Sequence, residues 1–188
     1  MKKKKSPGSK GAAPPKETEK IVTEITKILN KIDIKTTKEF VTLLLKKRHL
    51  FLVGSGRSGL IAQAFAMRLR QFGLESYVVG EVITPAIGSK DLVVAISGSG
   101  ETTLTYDIVK EAKKQNTTIV LITAKPKSKV AKEADLIIEL KTELNGKIEP
   151  LASLFEQSAL IYLDSIILDM IKKKHKSFKE LRKRHANI

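Results

Sequence analysis

The sequence contains no cysteine and no tryptophan. Without cysteine there are no disulfides, no thiolate metal sites and no cysteine nucleophile, and the composition fits a reducing, cytoplasmic setting. Histidine occurs only as His49, His175 and His185, too few and too scattered for a histidine-rich metal site. Aromatic residues make up 5% of the chain, which leaves few platforms on which single-stranded nucleic acid could stack. No apolar run approaches the roughly 18–20 residues that a membrane-spanning helix needs. The N-terminal lysines are not followed by the apolar segment of a secretory signal. A membrane partner is therefore not expected.

What the chain has in excess is positive charge, +15 over 188 residues. Its distribution argues against a nucleic-acid surface. Residues 1–20 hold seven lysines against two acids, and residues 172–188 hold eight Lys/Arg against one acid. Between them, twenty basic residues face seventeen acidic ones, so the excess lies at the two ends and reads as solvated termini. Lys2-Lys3-Lys4-Lys5 and the Ser/Gly/Pro/Ala segment that follows have the composition of a disordered tail, assigned here to residues 1–16. Residues 17–188, with hydrophobic residues at 41% over the chain, are long enough for one domain with a substantial core.

Ile21, Val22, Ile25, Ile28, Leu29 and Ile32 recur at helical spacing and predict a first amphipathic helix. Thr36-Thr37-Lys38-Glu39 predicts a cap and a second, short helix. Five short, almost continuously apolar runs then alternate with helical patterns: 49–53, 76–79, 91–96, 118–123 and 135–140. Helices are expected over 58–72, 102–115, 128–133, 151–173 and 177–184, with Gly73 as a stop signal. Apolar strands alternating with helices predict an α/β fold with a parallel sheet covered on both faces. The commonest five-strand arrangement, order 2-1-3-4-5, places strands one and three side by side.

Two similar loops follow those two strands, some forty residues apart. They are Gly54-Ser55-Gly56-Arg57-Ser58-Gly59 and Ser97-Gly98-Ser99-Gly100-Glu101-Thr102-Thr103. A strand, a Gly/Ser turn and a helix start form an anion site, because backbone approaches closely and the first helical N–H groups are unpaired. Ser55, Arg57, Ser58, Ser97, Gly98, Ser99, Gly100, Thr102 and Thr103 are the candidate binding residues. The first loop also fits the G-x-G-x-x-G spacing, and Glu81 lies 22 residues past Gly59, so a dinucleotide site is a rival. Side chains able to bond an anion within the first loop, and a second loop of the same grammar, favour a phosphorylated small molecule.

The second loop, Ser-Gly-Ser-Gly-Glu-Thr, resembles the sugar-phosphate loop of the sugar isomerase (SIS) domain family. Val53–Gly59, Ala66-Met67-Arg68-Leu69, Val79-Gly80-Glu81 with Thr84-Pro85, Phe155-Glu156-Gln157 and Arg184-His185-Ala186-Asn187 are similar to the 6-phospho-3-hexuloisomerase branch of that family. The resemblance spans roughly residues 20–188. It implies interconversion of D-arabino-3-hexulose 6-phosphate and fructose 6-phosphate, the isomerase step of the ribulose monophosphate route. It also implies no metal or organic cofactor, a phosphosugar as the small-molecule partner, and a homotetramer with sites at subunit interfaces. A phosphosugar-binding regulator and a different SIS phosphosugar isomerase are the alternatives. The lysine-rich tail and Lys125-Pro126-Lys127 are not accounted for by the resemblance.

Moving a carbonyl between adjacent carbons through an enediol needs a positioned base and a group that handles protons at oxygen. Glu156, beside the apolar stripe Leu160, Leu163 and Ile167, is either a first-turn glutamate complementing the helix dipole or that base. The resemblance favours the base. His185, in a basic stretch near the end of the chain, reads as solvated by position; the resemblance makes it an acid/base group, in this site or a neighbouring subunit's. Thr84, after strand two, is a further candidate for contact with the sugar, and Glu81 is a weaker one.

Overall fold

The computed structural model describes residues 14–144, 146 and 148–186. The expected tail therefore lies outside the described residues as far as residue 13, as does Asn187 of the terminal motif. Helices α1 (Lys16–Leu29) and α2 (Ile34–Lys46) precede an alternating series: β1 (Leu50–Gly54), α3 (Arg57–Phe72), β2 (Ser76–Val78), β3 (Leu92–Ile96), α4 (Thr103–Lys114), β4 (Thr118–Thr123), α5 (Lys129–Glu133) and β5 (Leu136–Glu139). The long α6 (Ser153–Lys173) and the short α7 (Phe178–Lys183) follow.

The five strands pair in parallel in the order β2-β1-β3-β4-β5, as expected from the sequence. Period-two alternation sends each strand's residues to two different cores. Leu50, Leu52, Leu92, Val94, Ile96, Val120 and Ile122 pack with α1, α2, α3 and α6. Phe51, Val53, Val93, Ala95, Ile119 and Leu121 pack with Val109 and Ala112 of α4 and Val130 and Ala131 of α5. All five residues of β3 are completely buried, which explains why its sequence is continuously apolar rather than alternating.

Two helix starts differ from expectation by more than one residue. Asp33, not Thr36 or Thr37, caps α2: its Oδ2 accepts from the Thr36 N–H at 2.7 Å and from the Thr36 hydroxyl at 2.6 Å. Aspartate is among the strongest N-caps, and with it bound the helix begins at Ile34. Helix α6 begins at Ser153 rather than 151, because Leu151 and Ala152 both have positive φ, 55° and 65°. A left-handed backbone at non-glycine residues costs about 1–2 kcal/mol per residue. The turn immediately before α6 is thus held by its surroundings and not by local preference.

Candidate active site

The sheet register sets the site. Gly54 lies opposite Ile96 across β1 and β3, so both Gly/Ser loops leave the sheet at the same level, at the carboxyl ends of adjacent strands. This is the switch point at which an open α/β sheet binds its ligand. A direct contact joins the first loop to the helix that follows the second: the Ser55 and Thr105 hydroxyls are 3.3 Å apart. Thr105, completely buried in the first turn of α4, is a site residue that the sequence reading missed. The available signal was its i+3 spacing from Thr102, which puts both on one face of the helix start.

In the first loop, a Cβ on Gly54 would stand 2.7 Å from the Ser58 carbonyl oxygen, so only glycine lets α3 start this close to β1. In the second loop, the Gly100 N–H donates to Ser97 Oγ (3.1 Å) and the Glu101 N–H donates to Ser99 Oγ (3.2 Å). Both hydroxyls accept within the loop, so their own O–H protons remain to be donated outward. Gly100 has φ +63°, and a Cβ there would fall 1.9 Å from Ser128 Oγ. Glu101 turns away from the loop mouth: its Oε1 accepts from the Lys129 N–H at 3.0 Å, at the start of α5.

The third wall is the start of α6. A Cβ on Gly98 would touch Phe155 at 3.0 Å, so Phe155 packs directly against the second loop. The next residue, Glu156, is 7% exposed and forms an ion pair and hydrogen bond with Arg57, whose Nε donates to Glu156 Oε2. Arg57 is the first residue of α3. One ion pair thus ties the first loop to α6 at the mouth of the crevice. The carboxylate raises the guanidinium's pKa further above its ordinary value, through the hydrogen bond first and the charge second. Two neighbours complete this corner: Gln157, noted in the sequence only as part of the Phe155-Glu156-Gln157 motif, and Glu149, which had no sequence signal. Gln157 Nε2 donates to Glu149 Oε1 at 3.0 Å. Glu149 Oε2 is buried without a partner among the described residues, and the charge of Glu149 also acts on Arg57.

The structure brings together Ser55, Arg57, the Ser97–Gly100 segment and Glu156. Ser58, in the first turn of α3, is half-buried beside Arg57. Thr102 is the N-cap of α4 without a side-chain cap bond. Three other expected residues lie elsewhere. Thr103 opens instead on a cavity of about 400 Å³ between α4 and α5, with Tyr106 and Lys132. The Thr84 hydroxyl donates to the Val78 carbonyl at 2.8 Å, closing its own turn beyond the edge strand β2. His185 borders a cavity of about 410 Å³ with Arg68, Gln71, Asp164 and Ile171. At 1.5 Å rise per residue, the α6 residues of this cavity, Asp164 to Ile171, lie about 12–22 Å along the helix from Glu156. Within one chain, His185 therefore borders the middle and C-terminal half of α6, whereas Glu156 lies in its first turn.

The SIS domain family model matches residues 43–163, from the end of α2 into α6. An uncharacterized protein of Archaeoglobus fulgidus is 42% identical over 174 residues, covering 88% of this chain and 95% of that protein. A 3-hexulose-6-phosphate isomerase of Bacillus subtilis is 39% identical over 152 residues, 77% of this chain and 82% of its own length. The chain also superposes with TM-score 0.85 and 35% identity on a protein of Methanococcus jannaschii, covering 92% of this chain and 98% of that one. From that crystal structure a molecular function of 3-hexulose-6-phosphate isomerase was inferred. Loops, ion pair and likeness agree: the chain belongs to the SIS domain family, among relatives that include named 3-hexulose-6-phosphate isomerases.

Proposed function

We propose that this chain is a phosphosugar isomerase that interconverts D-arabino-3-hexulose 6-phosphate and fructose 6-phosphate. The observation that carries the reading is the Arg57–Glu156 pair, set between two Gly/Ser loops at the switch point of the sheet. The names of the Bacillus subtilis and Methanococcus jannaschii relatives supply the substrate. The loops bind the phosphate through backbone N–H groups, the Ser55, Ser97 and Ser99 hydroxyls and the start of α4 around Thr102. The sugar chain then runs toward α6.

Starting from the 3-hexulose, the Glu156 carboxylate removes the proton on C2. The C2–H electrons form the C2–C3 double bond, and the C3 carbonyl oxygen takes the negative charge as a cis-enediolate. A proton moves from O2 to O3, and Glu156 returns its proton to C3, leaving the carbonyl at C2. Negative charge passes from carboxylate to enediolate and back, and Arg57 stays beside it throughout, so the cation is in place where charge develops. His185 handles the oxygen protons from a neighbouring subunit, in a homotetramer whose contacts include the exposed apolar residues Leu60, Met67, Ile161 and Leu168 on α3 and α6. Thr84 reaches the sugar only if its turn is displaced. No metal or organic cofactor takes part in this route, and a cytoplasmic setting suits its soluble substrate.

The test is a coupled assay for fructose 6-phosphate, with the 3-hexulose phosphate generated in situ. Turnover supports the reading. Silence there, with activity on an arabinose or heptose phosphate, moves the chain to another SIS isomerase; silence on all of them removes the enzymatic reading.

A further inference from the structure

The β4–α5 connection carries two lysines that neither the fold nor the proposed chemistry uses. Lys125, Lys127 and Ser128 line a cavity of about 530 Å³ together with Ser99 and the carboxylate-bearing Glu101 of the second loop and Leu144. The connection is fixed against that loop by three hydrogen bonds, and a fourth ties Lys125 back to the end of β4. The Ala124 N–H (3.1 Å) and the Thr123 hydroxyl (3.1 Å) donate to the Gly98 carbonyl. The Val130 N–H donates to the Gly100 carbonyl at 3.0 Å, and the Lys125 N–H donates to Thr123 Oγ1 at 3.1 Å. Pro126, with its restricted φ, separates the lysines. Their backbone is therefore held in a set register to the loop.

Ser128 is the N-cap residue of α5 but makes no cap bond. The second loop does its capping: Glu101 Oε1 accepts from the Lys129 N–H, and the Gly100 carbonyl accepts from the Val130 N–H. The Ser128 hydroxyl is left buried, with the residue 5% exposed, and without a partner among the described residues. A buried hydroxyl with no partner is uncommon, and a ligand is one of the few things that satisfies it. Charge points the same way. The second loop contributes only neutral donors and the acid Glu101, and that acid is already engaged with Lys129. The exposed lysines at 125 and 127 make no ion pair with any described residue. Arg57 faces Glu156 instead.

We infer that Lys125, Lys127 and Ser128 form the cationic side of the anion site, where they hold the phosphate monoester of the substrate against the Ser97–Gly100 loop. The inference rests on the phosphosugar reading of that loop. It assigns to the lysine segment binding and not proton transfer: the ammonium groups neutralise the dianion, and the serine hydroxyl donates to an oxygen that reaches beside Gly100.

The test uses the full chain, the Lys125→Ala/Lys127→Ala double variant, the matching double arginine variant, and Ser128→Ala. Inorganic phosphate is the probe, read as a competitive inhibitor and by calorimetry. A charged hydrogen bond corresponds to about tenfold or more in affinity. The double alanine variant is therefore expected to raise both the phosphate inhibition constant and the KM for the hexulose phosphate by about tenfold or more, to change kcat by less than about threefold, and to lose most of the salt dependence of KM. Arginine restores most of the affinity, and Ser128→Ala weakens phosphate binding less than the double variant does. Phosphate affinity unchanged within about twofold in the double alanine variant overturns the inference and leaves the isomerase reading intact. A wild-type chain that binds phosphate through these lysines but turns over no sugar phosphate overturns the isomerase reading alone.

Discussion

Replacing Glu156 with Gln preserves shape and removes only the charge and the basicity. Its expected effects on stability and on rate are different in size. The Arg57 side chain is 59% exposed in its pair with Glu156. A pair open to solvent on one side contributes little after screening, and the glutamine oxygen still accepts from Arg57. For a domain of this length, 1 kcal/mol corresponds to about 2–4 °C in Tm. The variant should therefore melt within about 4 °C of wild type and keep its inhibition by inorganic phosphate, because the loops are untouched. Loss of a general base lowers kcat by about 10²–10⁴-fold, which is about 3–5 kcal/mol of transition-state stabilisation. The assay is fructose 6-phosphate formation at saturating substrate, with a thermal melt of the same preparation. A kcat within about tenfold of wild type refutes Glu156 as the base. A rate loss accompanied by a fall in Tm beyond about 10 °C refutes the separation of rate from stability.

Three further variants test the surroundings of the site. Gly100→Ala combines a left-handed backbone with a Cβ 1.9 Å from Ser128 Oγ; urea unfolding should show a loss of about 2–5 kcal/mol, and Ser128→Gly in the same chain should recover only the steric part. Ala152→Gly relieves the φ of +65° and should raise Tm by about 2 °C once the added chain entropy is deducted; a fall in Tm contradicts the strain assigned there. Burial raises the Tyr162 phenol to about 12, against about 10 in an unfolded chain. Between pH 10 and 12 the folded state thus keeps a proton that the unfolded state has released, so stability falls across that window by about 2–3 kcal/mol. Tyr162→Phe should remove that share of the alkaline loss, seen as a flatter Tm against pH, and an unchanged slope contradicts it.

The strands and their order were legible because the relevant physics is local and repetitive. Runs such as Leu92–Ile96, closed by Gly and Ser, match a buried parallel strand, and the two loops then had to meet across β1 and β3. The α2 cap was misread because Thr36 and Thr37 are also good caps, and nothing local showed that Asp33 already holds the Thr36 N–H and hydroxyl. The start of α6 was placed two residues early because Leu151 and Ala152 are ordinary helix formers; their left-handed backbone is imposed by tertiary contacts, among them the Ala152 N–H donating to the Leu144 carbonyl at 2.7 Å. Glu149 and Gln157 were invisible as a pair because one lies in a loop and the other on a helix, and no periodicity links them. The likeness of the terminal motif said what type of residue His185 is, but only the path of α6 locates it far from Glu156 within one chain.

The central claim, that Glu156 moves a proton between C2 and C3 of a hexulose phosphate, is tested most directly by proton NMR of fructose 6-phosphate incubated with the enzyme in deuterium oxide. The account predicts deuterium entering at C3 with wild type, none at C1, and none at either position with Glu156→Gln. Exchange at C1, which marks an aldose–ketose isomerase, or exchange at C3 that persists undiminished in the variant, would contradict it.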